Sequence, residues 1–236
     1  MPDLAIVVPT YNESKNIREL VGRLDGVLAG IDWQVLFVDD DSPDGTADVV
    51  RALGEEHSRV SCLKRVGRRG LSSACIEGMQ QVRAPVYAIM DADLQHDETR
   101  LPLMLAKIRS AGVDICIGTR YAGGGSVGAW GLGRRLISRA ATWMTNFLLG
   151  TRMSDPMSGF FMVTDGIMQQ VYPRLDGQGF KILLDIVVNA PKGVVIGEVP
   201  FTFRPRMAGE SKLGISVIVA LLVFLLKKAP GRLMGR

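Results

Sequence analysis

Cysteine is scarce. Cys62, Cys75 and Cys116 are odd in number and contain no Cys-x-x-Cys pair, which argues against a disulfide framework or a zinc site and suits a reducing cytosol. The chain also lacks the basic region, apolar core and small-residue cleavage site of a secretory signal. Met1-Pro2-Asp3 runs directly into an apolar stretch, so the protein is expected to stay inside the cell. Glycine is missing where a dinucleotide-binding dehydrogenase needs it: Pro9-Thr10-Tyr11-Asn12-Glu13 stands where a tight turn would let a pyrophosphate approach a helix N-terminus. No Gly-x-x-x-x-Gly-Lys-Ser/Thr loop is present, which removes the common nucleoside triphosphatase design. Without a zinc finger, an aromatic RNA-binding signature or a long basic helix, nucleic acid is not an expected partner. Of the two histidines, His96 reads as a local hydrogen-bonding residue and His57 as a loop residue.

What remains is a chain of 236 residues, 47% hydrophobic, long enough for one large domain with a substantial core, or one domain with an appendage. Short apolar runs at Leu4–Val8, Val35–Val38, Val60–Leu63, Val86–Met90 and Asp114–Gly118 predict strands. Between them, Ile17, Leu20, Val21, Leu24, Val27 and Leu28 fall on one helical face, and helices are predicted to run through Leu53, over Leu71–Val82 and over Leu101–Ala111. Asn12 or Ser14 could cap the first helix, and Asp44 or Thr46 the second. Alternating strands and helices imply an α/β fold with a mostly parallel sheet, whose ligand sites lie beyond the carboxyl ends of the strands.

Polar clusters sit at those ends. Tyr11 and Glu13, Asp39 and Asp40, Asp91 and Asp93, and Thr119 with Arg120 each follow a strand, so four segments converge on one rim. Single acids there could be helix caps. Three consecutive aspartates, Asp39-Asp40-Asp41, exceed what a cap needs, and their mutual repulsion calls for a bound base, ribose, cation or plain exposure to water. The fourth strand ends at Asp91-Ala92-Asp93-Leu94-Gln95. Unpaired carboxylates are costly to bury, so this run delivers two acids to a polar cleft that suits Mg²⁺ or Mn²⁺, with Gln95 as a further oxygen donor.

Val8-Pro9-Thr10-Tyr11-Asn12-Glu13, Asp39-Asp40-Asp41-Ser42-Pro43-Asp44-Gly45-Thr46 and Asp91-Ala92-Asp93-Leu94-Gln95 resemble the motifs of family 2 inverting glycosyltransferases. Gly118-Thr119-Arg120-Tyr121, Ser154-Asp155-Pro156-Met157-Ser158-Gly159-Phe160, Gly197-Glu198-Val199-Pro200 and Gly209-Glu210-Ser211-Lys212-Leu213-Gly214 narrow the resemblance to polyprenyl (dolichol) phosphate mannose synthases. The likeness runs from about Leu4 to Gly214. It implies a single Rossmann-like GT-A domain that binds a nucleotide sugar, here GDP-mannose, and transfers mannose to a polyprenyl phosphate with inversion.

The resemblance also assigns residues. Pro9, Tyr11, Glu13, Val38 and Asp40 would line the nucleoside pocket, with Asp91 and Ala92 beside the ribose and diphosphate. Asp93 and Gln95 would bind the metal; Lys181, Arg206 and Lys212 would surround the donor diphosphate; Arg120, Arg134 and Ser138 would surround the acceptor phosphate, and with Asp93 they are the candidate catalytic residues. Cations belong in such a site because two polyanions meet at one carbon and charge grows on the departing nucleotide. Asp155 could organise the acceptor loop or take part in chemistry. No protein base is required, since a phosphate monoester, with its second pKa near ~6, is largely dianionic at neutral pH.

Two stretches could bring the lipid. Over 132–149 an apolar face with Leu132, Leu136, Trp143, Met144 and Phe147 is flanked by Arg134, Arg135 and Arg139, as in an interfacial helix; a core helix is the alternative. From Leu213 to Leu226 the run is uncharged but reaches only ~20 Å as a helix, short of the ~30 Å hydrocarbon core. Residues 1–213 are therefore expected to be the catalytic domain and 214–236 an apolar membrane-facing helix with a basic tail, placing the protein peripherally or monotopically on the cytoplasmic face of a membrane. The formal charge of +4 suits phosphate-bearing partners or an anionic surface. A separate membrane-spanning partner is possible on this pattern. UDP-glucose-dependent transfer to the same lipid, processive polysaccharide synthesis and a non-catalytic membrane-associated scaffold are the competing readings; no Gln-x-x-Arg-Trp motif supports the second.

Overall fold

The protein is described by a computed structural model over residues 1–126, 139, 142–147 and 150–204. Seven strands, β1 (Leu4–Thr10), β2 (Trp33–Asp39), β3 (Val60–Lys64), β4 (Val86–Ile89), β5 (Ile115–Thr119), β6 (Phe161–Thr164) and β7 (Ile196–Pro200), form one sheet. Its order is β3-β2-β1-β4-β6-β5-β7. Helices α1 (Ile17–Val27), α2 (Thr46–Glu56), α3 (Leu71–Gln81), α4 (Leu101–Ala111), α5 (Asp165–Val171) and α6 (Ile182–Asn189) cover it.

The central strands are apolar on both faces, so each face builds its own core. Ile6, Val8, Phe37 and Ala88 pack beneath α1, α2 and α4 residues such as Leu20, Val50 and Leu105; Val7, Val38 and Ile89 pack with Cys75 and Met79 of α3 and Leu184 of α6. Val38, assigned by resemblance to the nucleoside pocket, has its side chain wholly inside this second core. Gly78 allows the close approach there, since a Cβ at that position would stand 2.4 Å from Val7 Cγ1 and 2.8 Å from Val38 Cγ2.

The sheet is mostly parallel, with one exception that matters for the site. β6 is inserted between β4 and β5 and runs antiparallel to both. Its amino end therefore lies beside the carboxyl ends of its neighbours: Phe161 pairs with Ile89 and with Ile117. The block 154–160, which precedes β6, consequently reaches the same rim as the loops that follow β1, β2, β4 and β5. β7 lies parallel to β5 and brings Phe201–Arg204 to that rim from the edge.

The expected caps are partly replaced. Asn16, not Asn12 or Ser14, stands at the N-cap of α1, and Asn12 instead takes a left-handed conformation with φ 62°. Asp44 does serve the start of α2, where Gly45 holds the cap position: it accepts from the Thr46 N–H at 3.1 Å and the Thr46 hydroxyl at 2.6 Å. The three cysteines are unpaired thiols, as expected.

Candidate active site

Loop β1–α1 is fastened to loop β2–α2 by three backbone donors. Asn12 N donates to Ser42 Oγ (3.0 Å), Glu13 N to Thr46 Oγ1 (3.0 Å) and Ser14 N to Asp44 Oδ2 (3.1 Å). The repulsion anticipated in the aspartate triplet is relieved within the protein. Asp39, fully buried, accepts from Ser42 N (2.9 Å) and from the Ser42 and Thr10 hydroxyls. Asp41 pairs with Lys64 at 2.8 Å. Asp40 accepts from Arg65 Nε at 2.7 Å and from Gly70 N at 2.8 Å. Arg69 lies over the Tyr11 ring, 4.4 Å from its centroid, so the β3–α3 segment borders both Tyr11 and Asp40. That segment, Arg65-Val66-Gly67-Arg68-Arg69-Gly70, carries no role in the sequence reading above; its signal was a basic, glycine-punctuated run directly after a strand.

After β4 the chain turns at Leu94, a residue in the left-handed region with φ 61°. Asn12, Asp41 and Leu94 are the described non-glycine residues with positive φ, and all three lie on this rim, where such conformations are worth their cost only if a defined loop shape is needed. Asp93 is buried, and its Oδ1 accepts from Gln95 N at 3.1 Å. The Gln95 amide nitrogen donates to the Arg204 carbonyl at 3.0 Å, which turns the amide oxygen away from that carbonyl. Asp91 is more open, and Gly159 of the 154–160 block faces it: a Cβ there would stand 3.5 Å from Asp91 Oδ2. Ala92 is buried, and Pro9, in β1, is half-buried.

His96 is not a metal ligand in this arrangement. Its Nδ1 accepts from Asp91 N at 3.1 Å, and its ring stacks on Phe160 and meets Phe201 and Phe203 edge-on. Burial pushes its pKa down to about 4, so the ring is neutral with its proton on Nε2. The 3.8 Å separation of Nε2 from Asp91 Oδ2 is too long for a hydrogen bond. His57, half-exposed and close to Asp25 at the far side of α2, has no place on the rim.

The opposite half of the rim is basic. Arg120 Nε and Nη2 bind Asp155 Oδ2 and Oδ1 at 2.7 and 2.8 Å, and the Arg120 amide also donates to Oδ2 at 3.3 Å. Burial works to lower the Arg120 pKa, but the Asp155 bonds outweigh it, and the guanidinium is held charged. Asp155, almost fully buried, is thus the orienting partner of Arg120. Thr119 and Ser154 join through their hydroxyls at 2.6 Å, and Ser158 Oγ donates to the Gly118 carbonyl at 2.7 Å, tying the 154–160 block to the end of β5. A cavity of about 380 Å³ adjoins this half, lined by Tyr121, Arg139 and Ser154 and by Thr142 and Trp143 of the helical stretch 142–147. Trp143 and Phe147 are strongly exposed and stack on one another at 5.5 Å. A larger cavity, about 830 Å³ with Arg83, Tyr87 and Asp165 on its walls, opens at the other end of β4, away from the rim.

Lys181 caps the amino end of α6 and is buried, which pushes its pKa down to about 8. The chain leaves β7 through Phe201–Arg204, whose Arg204 N donates to the Gln95 carbonyl and whose guanidinium bonds Glu98 at 2.6 Å and Asp97 at 2.8 Å. Arg134, Ser138, Arg206 and Lys212, together with 214–236 and most of 132–149, lie outside the described residues. Among the described residues no group of three His, Cys, Asp or Glu side chains is arranged to enclose a metal. Asp91, Asp93 and the Gln95 oxygen form an oxygen-only donor set on an open rim, which fits a hard cation completed by phosphate oxygens and water.

A parallel-dominated sheet with motif-bearing loops at its carboxyl ends is the frame of a nucleotide-sugar transferase, and the model of glycosyl transferase family 2 matches residues 5–171 of this chain. The chain belongs to that family. Within it, the chain is 40% identical over 212 residues to a dolichol-phosphate mannosyltransferase of Pyrococcus furiosus, the match covering 89% of this chain and 59% of that protein. It is 38% identical over 232 residues to the Saccharomyces cerevisiae protein of the same name, covering 93% of this chain and 84% of that one. The chain thus spans little more than half the length of the archaeal relative and most of the yeast one. In fold it is similar to glucosyl-3-phosphoglycerate synthase of Mycobacterium tuberculosis solved with Mn²⁺, UDP-glucose and phosphoglyceric acid, with a TM-score of 0.74 at 16% identity over 97% of this chain and 80% of that one. The architecture is therefore GT-A-like.

Proposed function

We propose that the protein transfers mannose from GDP-mannose to a polyprenyl phosphate such as dolichyl phosphate, with inversion, on the cytoplasmic face of a membrane. The observation that carries this reading is the division of one rim into an acidic half, Asp91, Asp93 and Gln95, and a basic half, Arg120 on Asp155 beside the Arg139–Trp143 cavity. The first suits a metal-held diphosphate and the second a phosphate nucleophile. The relatives named dolichol-phosphate mannosyltransferase favour mannose and a dolichol-type acceptor over glucose.

In this reading Tyr11, Glu13 and Asp40 receive the nucleoside, and Asp91 and Ala92 meet the ribose and diphosphate. Asp93 and Gln95 would hold Mg²⁺ or Mn²⁺, which when bound supplies charge neutralisation for the leaving nucleoside diphosphate. Lys181, with Arg206 and Lys212, is assigned to the donor diphosphate by resemblance, where its positive charge would add. Asp155 orients Arg120 toward the acceptor phosphate, with Arg134 and Ser138 as further acceptor contacts. That phosphate is dianionic near neutral pH and attacks the anomeric carbon from the face opposite the diphosphate, so the α-linked donor yields a β-linked lipid phosphate. Residues 1–213 then form the catalytic domain and 214–236 the membrane-facing helix and tail. Among the described residues no helix is long and apolar enough to cross a membrane, and the exposed Trp143–Phe147 pair provides an apolar contact for the interface.

Labelled GDP-mannose and UDP-glucose, each offered with a short polyprenyl phosphate, test the proposal. We expect a mannolipid from GDP-mannose, with the β linkage visible by NMR. Glycolipid formed from UDP-glucose alone would overturn the sugar and nucleotide assignment, and absence of nucleotide-sugar binding would return the protein to a scaffold role.

A further inference from the structure

We infer that Arg65 is a positioning residue for the donor's nucleoside: its buried guanidinium, with the Gly70 amide, fixes the Asp40 carboxylate in the orientation in which it receives the base. The inference rests on the reading that Asp40 meets a nucleotide.

Arg65 lies at the end of β3, on the rim, yet none of its surface is exposed. Each of its guanidinium nitrogens is engaged. Nε donates to Asp40 Oδ1 at 2.7 Å, Nη1 to Glu77 Oε1 at 2.9 Å and Ser73 Oγ at 3.0 Å, and Nη2 to the Gly70 carbonyl at 3.0 Å. Gly70 closes the circuit, its N–H donating to Asp40 Oδ2 at 2.8 Å. Asp40 therefore receives Nε and Nη2 of Arg65 on Oδ1 and the Gly70 amide on Oδ2, all from the β3–α3 segment, and its carboxylate plane cannot turn without breaking these contacts. Glycine is needed at the hinge: φ of 148° lets residue 70 present its N–H to Asp40 while its carbonyl meets Arg65, and a Cβ there would crowd Ser73 Oγ at 3.1 Å.

Folding alone gives a poor reason for this arrangement. A buried guanidinium loses its hydration, and apolar residues of similar volume commonly fill such a space at no loss of stability. What the charged network supplies is direction. It holds the Asp40 carboxylate in a fixed orientation at the rim, ready to accept an N–H from a base, so the orienting cost is met before the ligand arrives. Arg65 contacts the other side of Asp40 and is sealed from the ligand. Its effect on binding must pass through Asp40.

That requirement defines the test. GDP affinity is measured calorimetrically on the full chain for wild type, Arg65→Lys, Asp40→Asn and the double variant, alongside donor and acceptor KM and kcat. Arg65→Lys should weaken GDP about tenfold, an effect of the size seen when an orienting partner is lost, and raise donor KM equally, while kcat and acceptor KM stay within about threefold. In the Asp40→Asn background the same change should add almost nothing. Wild-type GDP affinity in Arg65→Lys, a loss fully additive with Asp40→Asn, or a fall in kcat with donor KM unchanged would each overturn the inference. If Arg65→Lys does not fold, Gly70→Ala takes its place in the cycle and is held to the same outcomes. Failure of the wild type to bind GDP would instead overturn the donor reading itself, and is separable because it needs no variant.

Discussion

At the residue scale, two charged groups make opposite kinds of prediction. Lys181, its amine pushed down to about 8 by burial, would serve a diphosphate in the proposed site only while protonated. Nucleotide diphosphate affinity should therefore decline as pH rises through about 8, and Lys181→Arg should flatten that alkaline limb; calorimetric titration between neutral and alkaline pH reads both. The same depressed pKa has a consequence without ligand. Between about 8 and the usual 10.5 the unfolded chain still holds a proton that the folded chain has released, so this residue makes stability rise with pH across that window. Asp155 acts through geometry. Asp155→Asn leaves Arg120 a neutral partner in a buried place, and losing about 3 kcal/mol of that pairing from the transition state would slow transfer roughly a hundredfold. GDP affinity should stay within about threefold, because the proposed acceptor half of the rim is what changes. A parallel loss of GDP binding would show that the two halves are not separable.

At the element scale, glycines report how closely the layers approach. Gly78 of α3 faces Val7 and Val38 with no room for a methyl group, so Gly78→Ala should cost about 1–3 kcal/mol in chemical denaturation. Gly22 of α1 has open space where its Cβ would be, and Gly22→Ala should stabilise by up to about 1 kcal/mol. Most elements were legible because their apolar residues repeat at the period of a strand or a helix: α4 is found at Leu101–Ala111 as predicted, and β1 and β2 are longer by two or three residues than their apolar runs. β6 was not. Phe161–Thr164 is a four-residue strand, and no feature of so short a run announces antiparallel insertion between β4 and β5. Reading sites only from strand carboxyl ends therefore found four rim segments; the block 154–160 arrives from the amino end of an inverted strand, and Phe201–Arg204 from an edge strand. The Arg65–Gly70 segment escaped for another reason. Its arginines look like solvated charge until the fold buries the first of them against Asp40.

At the scale of the whole molecule, the rim gathers segments that are far apart in the chain, and Arg204 fastens the last described one to the proposed metal motif through Asp97, Glu98 and Gln95. The last described residues thus lie beside the proposed metal and diphosphate site. The proposed membrane contact has its own test: replacing both Trp143 and Phe147 with alanine should weaken flotation with anionic vesicles, while leaving GDP affinity unchanged, since both rings are exposed and distant in sequence from the loops proposed to hold the nucleoside.

The central claim is that Asp93 serves a metal-dependent transfer of mannose to a lipid phosphate. The direct measurement is mannolipid formation from labelled GDP-mannose and a short polyprenyl phosphate by wild type and Asp93→Ala, each with Mg²⁺, Mn²⁺ or chelator, with melting curves confirming both folds. Wild type should form mannolipid only with metal, and Asp93→Ala should fall by at least about a hundredfold, beyond what loss of an outer partner costs. Undiminished turnover by Asp93→Ala, or full wild-type activity in chelator, would contradict it.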